Sequence, residues 1–99
     1  MTKGLTAVFV ANDSMAIGFL RRLNQRGVSV PRDLTVAGFD NIPESEFVAP
    51  SLTTVQADWE GQGAAAVEAL LFEIGTGPSA GGQSSLVQVV ARDSSGPGA

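Results

Sequence analysis

Two short polar pairs carry most of the chemistry that this sequence can offer. Asn12-Asp13 follows the apolar run 6–11 (TAVFVA), and Asp40-Asn41 follows the apolar run 34–39 (LTVAGF). Paired Asn and Asp side chains present hydrogen-bond donors and acceptors together, which suits a polyol, a sugar or a nucleobase. Asp13 reads first as the cap of the helix that follows it, and Asn41 as a turn residue. Asn12 and Asp40 have weaker structural reasons to be there, so a binding role and a structural one stand level for each. Trp59, the only tryptophan, packs in a core or stacks on the apolar face of a sugar ring.

Other chemistry is poorly provided for. The chain has no cysteine and no histidine, which excludes disulfides, thiolate and imidazole metal sites, and the commonest general base. Asp13 and Asp40 could be imagined as a carboxylate pair. No phosphate-binding loop, G-x-S-x-G elbow or metal signature accompanies them. The reading is therefore of a protein that is not an enzyme and needs neither metal nor cofactor. The net charge is −4, and the nearest basic cluster, Arg21, Arg22 and Arg26, is small. Since nucleic-acid affinity draws on Lys and Arg meeting phosphates, direct contact with DNA by this chain is not expected. The first six residues lack the apolar run of a signal peptide, and no stretch reaches the ~20 apolar residues of a membrane span. A soluble, cytoplasmic protein is expected.

The elements that must position these residues follow from the hydropathy pattern. Residues 6–11 read as a strand buried on both faces, rich in β-branched and aromatic residues. Asp13 should cap a helix over residues 14–26, which Gly27 stops and Pro31 forbids from continuing. Residues 34–39 form a second strand. Strand, helix and strand within about 35 residues make a βαβ unit with parallel strands. Ligands of open α/β sheets bind beyond the carboxyl ends of the strands, so Asn12 and Asp40 should project from one sheet edge. Residues 42–50 are irregular, with room for one helical turn, and 53–56 are extended. Asp58 caps a helix over 59–74 with an apolar stripe of Val67, Leu70, Leu71 and Ile74. Residues 78–85 form a loop, 86–91 (LVQVVA) a last strand, and 94–99 a Gly/Pro/Ser tail expected to be disordered.

The first helix has an unusually wide apolar face. At ~100° per residue, Met15, Ala16, Ile17, Phe19, Leu20 and Leu23 fan over roughly 200°, about twice the stripe that a single core requires. Deep setting in its own domain and contact with a partner chain explain this arc equally well. The chain has 99 residues, 43% apolar and 16% charged, which is enough for one small domain with a thin stability margin.

The order of segments resembles the LacI/GalR family of transcriptional regulators. Residues 7–13 with Met15-Ala16-Ile17-Gly18 resemble its "vfaaND-x-mA-x-G" segment. Residues 27–34 resemble "G-x-x-v-P-x-D-i", 36–43 "v-v-G-f-D-d-i-p", 50–55 "P-p-L-T-T-v", and 86–94 "L-v-v-R-x-S". The resemblance covers nearly all of residues 6–94. It implies an α/β fold: part of a lobe of the periplasmic-binding-protein-like (type I) core, with the βαβ unit, a further helix and a C-terminal strand. Residues 1–93 would be a truncated effector-binding and dimerisation core without its DNA-binding head, and 94–99 the tail. The resemblance places Asn12, Asp40 and Trp59 at the effector, a sugar or other small polar molecule. It places Met15 and Ile17, with Phe47 and Val48, at a dimer interface, and so favours the partner-facing reading of the first helix. Two alternatives share this core: a fragment of a transporter's periplasmic sugar-binding protein, and a small modulator that dimerises with full-length regulators.

Overall fold

The computed structural model describes residues 4–75 and 87–96. The elements run β1 (Ala7–Phe9), α1 (Asp13–Gln25), β2 (Thr35–Ala37), α2 (Glu44–Phe47), β3 (Thr54–Ala57), α3 (Trp59–Glu73) and β4 (Val87–Val90). The chain divides into two compact units, one of residues 1–56 with 88–99 and one of residues 57–87.

The first unit is built on the βαβ arrangement. β1 and β2 pair in parallel, with Ala7 opposite Thr35, Val8 opposite Val36 and Phe9 opposite Ala37. A further parallel bridge joins Ala37 to Thr53, and β3 pairs with β4. Side chains alternate across a strand, so Val8 and Val36 face the same side. There they meet Ala16 and Leu20 of α1, with Val10, Leu34 and Leu52 completing the buried core.

β1 departs from expectation. It is three residues long and not buried on both faces: Ala7 is exposed and Phe9 is 63% exposed. Continuous apolar character cannot distinguish a strand covered on two faces from one covered on a single face, and α1 covers only the Val8 side. The wide arc of α1 is largely taken up by its own domain. Ala16 and Leu20 are buried, and Ile17, Phe19 and Leu23 are half-buried against the same core. Met15, 58% exposed, points away.

α1 ends as its sequence dictates. Gly27, at φ 76°, takes the left-handed conformation after the cap residue Arg26. Its N–H donates to the Asn24 carbonyl (3.1 Å) and that of Val28 to the Leu23 carbonyl (2.9 Å), the paired closure of a Schellman motif.

The disordered-tail expectation for residues 94–99 needs correction at its start. Ser94 is fully buried. Its hydroxyl donates to the Val36 carbonyl (2.6 Å) and accepts from the Thr53 N–H (2.8 Å), and its own carbonyl accepts from the Val36 N–H (3.0 Å). Ser94 thereby supplies the β2 and Thr53 backbones with partners, and buried backbone groups require them. Residues 97–99 and the loop at 78–85 lie outside the described residues.

In the second unit, α3 has Asp58 as its cap, the carboxylate accepting from the Gly61 N–H at 3.0 Å. None of its residues is buried, and Val67, Leu70 and Ile74 of the expected stripe are exposed. Among the described residues no helix is long and apolar enough to cross a membrane.

Candidate functional site

Asn12 and Asp40 leave adjacent parallel strands, and both lie just past the carboxyl ends. Adjacent strands are separated by about 4.8 Å, which brings the two residues to one sheet edge. Both are half-buried.

The cap expected of Asp13 is supplied by its neighbour Asn12. Asn12 caps α1: its backbone is extended (φ −152°, ψ 164°) and its Oδ1 accepts from the Met15 N–H at 2.8 Å. Its amide nitrogen has no hydrogen-bond partner among the described residues and remains available as a donor. Asp13 is the first helical residue, and its side chain turns inward and is fully buried. A carboxylate out of water is costly unless its oxygens are satisfied. Here Oδ1 accepts from the Thr54 hydroxyl (2.6 Å), while Oδ2 accepts from the Ser45 hydroxyl (2.6 Å) and the Ile42 N–H (3.1 Å). The positive end of α1 adds favourable electrostatics. Gly38 is needed beside it, because a Cβ there would overlap Asp13 Oδ1.

Asp40 and Asn41 both have positive φ, 126° and 61°. Such backbone costs an L-residue of order 1–3 kcal/mol and persists only where its surroundings hold it. The Asp40 N–H donates to the Val55 carbonyl at 2.9 Å, and the Asn41 N–H to the Thr54 hydroxyl at 3.2 Å. The Asp40 carboxylate has no hydrogen-bond partner among the described residues. Asn41 is a turn residue as expected, and its side chain does more. Its amide donates to Gln56 Oε1 (2.8 Å) and its carbonyl oxygen accepts from Arg92 Nη2 (2.8 Å). Arg92 also donates through Nη1 to the Leu52 carbonyl at 3.0 Å. Asp40 thus sits on a turn anchored from several sides, with its carboxylate left over.

The other expected site residues divide. Trp59 opens α3 in the second unit and is 48% exposed, so it is not among the buried core residues. Phe47, at the end of α2, is 80% exposed, while Ile17 and Val48 are half-buried at the edge of the core. Two open grooves, of about 300 and 460 Å³, are lined by neither Asn12 nor Asp40: one by Leu20, Asn24 and Pro50 among others, the other by Thr6, Pro31 and Arg32. Among the described residues no three acidic side chains converge to hold a metal ion.

Ser45, Thr54 and Arg92 are the site-building residues that sequence reasoning missed. The L-T-T-v and R-x-S segments that contain Thr54 and Arg92 were visible as motifs. Nothing in their spacing showed that they converge behind Asp40.

Comparison with known proteins agrees with this architecture. The periplasmic binding protein-like domain family matches residues 2–95. The HTH-type transcriptional repressor PurR of Vibrio cholerae is 46% identical over 74 residues, covering 75% of this chain and 22% of the repressor. This chain therefore spans about a fifth of that relative's length. A sugar-binding transcriptional regulator of the LacI family from Escherichia coli, solved with phosphate, superposes with a TM-score of 0.76 at 30% identity, covering 90% of this chain and 32% of the regulator. A LacI-family regulator from Lactobacillus casei with bound glucose superposes with a TM-score of 0.72 at 31% identity, covering 91% and 32%.

Proposed function

Because the chain belongs to the periplasmic binding protein-like domain family, in its LacI/GalR regulator branch, we propose that it is the effector-sensing and dimerising part of a transcriptional regulator. The effector is a sugar or a similarly hydroxylated small molecule. The single observation that carries this reading is Asp40: a half-buried carboxylate with no described partner, held at φ 126° on the sheet edge shared with Asn12. A carboxylate accepts from two neighbouring hydroxyls at once, and the Asn12 amide nitrogen, without a partner among the described residues, donates to a third oxygen. Trp59, which opens α3 in the second unit, is by itself a partly exposed indole of the kind that stacks on the apolar face of a sugar. Glucose in the Lactobacillus casei structure supports the choice of ligand class. The proposed site asks nothing of catalysis, and the relatives named above are regulators, not enzymes. That also favours a regulator over a transporter's sugar-binding protein.

Self-association would use Met15 and Phe47, the most exposed apolar residues of α1 and α2, with Ile17 and Val48 at the margin. Phe47 would serve a second copy or a full-length regulator equally well. A cytoplasmic location and an absence of direct DNA contact by these residues complete the proposal.

The test is a titration of the isotopically labelled chain with hexoses and disaccharides, beginning with glucose, followed by amide chemical shifts. Saturable shifts at Asn12, Asp40 and Asn41 are expected, abolished by Asp40→Ala. Shifts that survive Asp40→Ala, or none across the sugars, would defeat the reading.

A further inference from the structure

The Asp13 carboxylate takes no part in the proposed ligand site, yet it lies directly behind it. Two successive backbone amides after Asp40 converge on it. The Ile42 N–H reaches Oδ2 directly (3.1 Å). The Asn41 N–H reaches the Thr54 hydroxyl (3.2 Å), which donates onward to Oδ1 (2.6 Å). The oxygen that holds Ile42 also accepts from Ser45 (2.6 Å), a residue of α2, the helix that ends at Phe47. Asp13, Ser45 and Thr54 are each fully buried, so water cannot replace a lost partner. A cluster in which every member is satisfied holds its members together more firmly than separate bonds would.

We propose that Asp13 is a positioning residue that holds Asp40 ready for its ligand and joins the Asp40 turn to the Phe47-bearing helix as one cooperative unit. The ligand side of this proposal rests on the reading of Asp40 given above. The two anchored amides add to the Val55, Gln56 and Arg92 contacts that hold the unfavourable φ at Asp40, and losing them weakens that hold. Because one carboxylate serves both the turn and α2, a displacement on either side changes the hydrogen bonds available to the other. Coupling of this kind is reciprocal.

Hydrogen exchange of the full 99-residue chain tests it, using variants that keep the buried carboxylate and its packing. Thr54→Val removes the hydroxyl relay at nearly constant shape. Loss of both hydrogen bonds of the Thr54 hydroxyl, one accepted and one donated, is expected to speed exchange of the Asn41 and Ile42 amides about tenfold or more. It should also move the Asp40 H–N–Cα–H coupling constant away from that of a positive φ. Coupling further requires faster exchange at the Val48 amide, which closes α2 onto the Glu44 carbonyl. Ser45→Ala must act in the opposite direction, speeding exchange at Asn41. Thr54→Ser, which retains the hydroxyl, should restore the native pattern, as filling space alone would not. The Val36 amide, bonded to Ser94, reports any general loosening. Unchanged Asn41 and Ile42 amides in Thr54→Val would overturn the positioning role. An effect confined to the mutated side in both variants would overturn the coupling. If the exchange pattern is as expected but glucose and other sugars shift nothing, the ligand reading fails while the anchoring of the turn by Asp13 stands.

Discussion

Helices α1 and α3 are similar in length, 13 and 15 residues, and both begin with a side-chain cap, yet they do opposite things with their apolar residues. α1 concentrates them on one side and buries Ala16 and Leu20 against Val36 and Leu52. α3 has apolar residues round much of its circumference, including the run 64–67 (AAAV), and buries none. Helix stability in a folded protein comes mainly from packing an apolar face, with propensity a smaller contribution. The comparison teaches that apolar content alone does not place a helix in a core. A facing surface of matching shape must be present, and α1 finds one in β1 and β2.

The largest test of this contrast is Leu52→Ala. Leu52 is completely buried in the α1 core. Its truncation should cost about 2–5 kcal/mol in denaturant unfolding, enough to unfold much of so small a domain. A loss below 1 kcal/mol would mean that the α1 core is no better packed than α3. A smaller effect is expected from Ser94→Ala. Removing its hydroxyl leaves the Thr53 N–H and the Val36 carbonyl short of a partner, at a cost of about 1–3 kcal/mol. A disordered tail residue would cost nothing, so this variant decides whether the C-terminal segment belongs to the core. The smallest effect should come from Leu70→Gln on α3. With Leu70 60% exposed, the change should stay within about 0.5 kcal/mol. A loss comparable to that of Leu52→Ala would show that α3 is covered in solution and end the contrast.

Much of the fold was legible because local signals carry it. The helix boundaries came within a residue, although the cap expected of Asp13 falls to Asn12, since Gly27 and side-chain caps act within one turn of themselves. The parallel pairing of β1 and β2 followed from the strand, helix, strand spacing. The sheet edge bearing Asn12 and Asp40 followed from their places after two apolar runs. The burial of β1 was less legible, because its apolar run does not say how many faces are covered.

The sequence by itself determined which polar residues follow the two apolar runs and at which end of the strands they stand. Only the tertiary structure decided how neighbouring polar residues divide the work. Local signals point to Asp13 as the cap of α1, and the structure has Asn12 there instead. The choice falls to Asn12 because Asp13 has buried donors in Ser45, 32 residues away, and Thr54, 41 residues away. The positive φ of Asp40 and the burial of Ser94 have the same kind of cause, the latter resting on a bond to Val36 across 58 residues. Caps and periodicity are short-range, and a single sequence states them. A buried polar group is placed by whichever partners folding brings to it, and those partners are named only once the chain has closed upon itself.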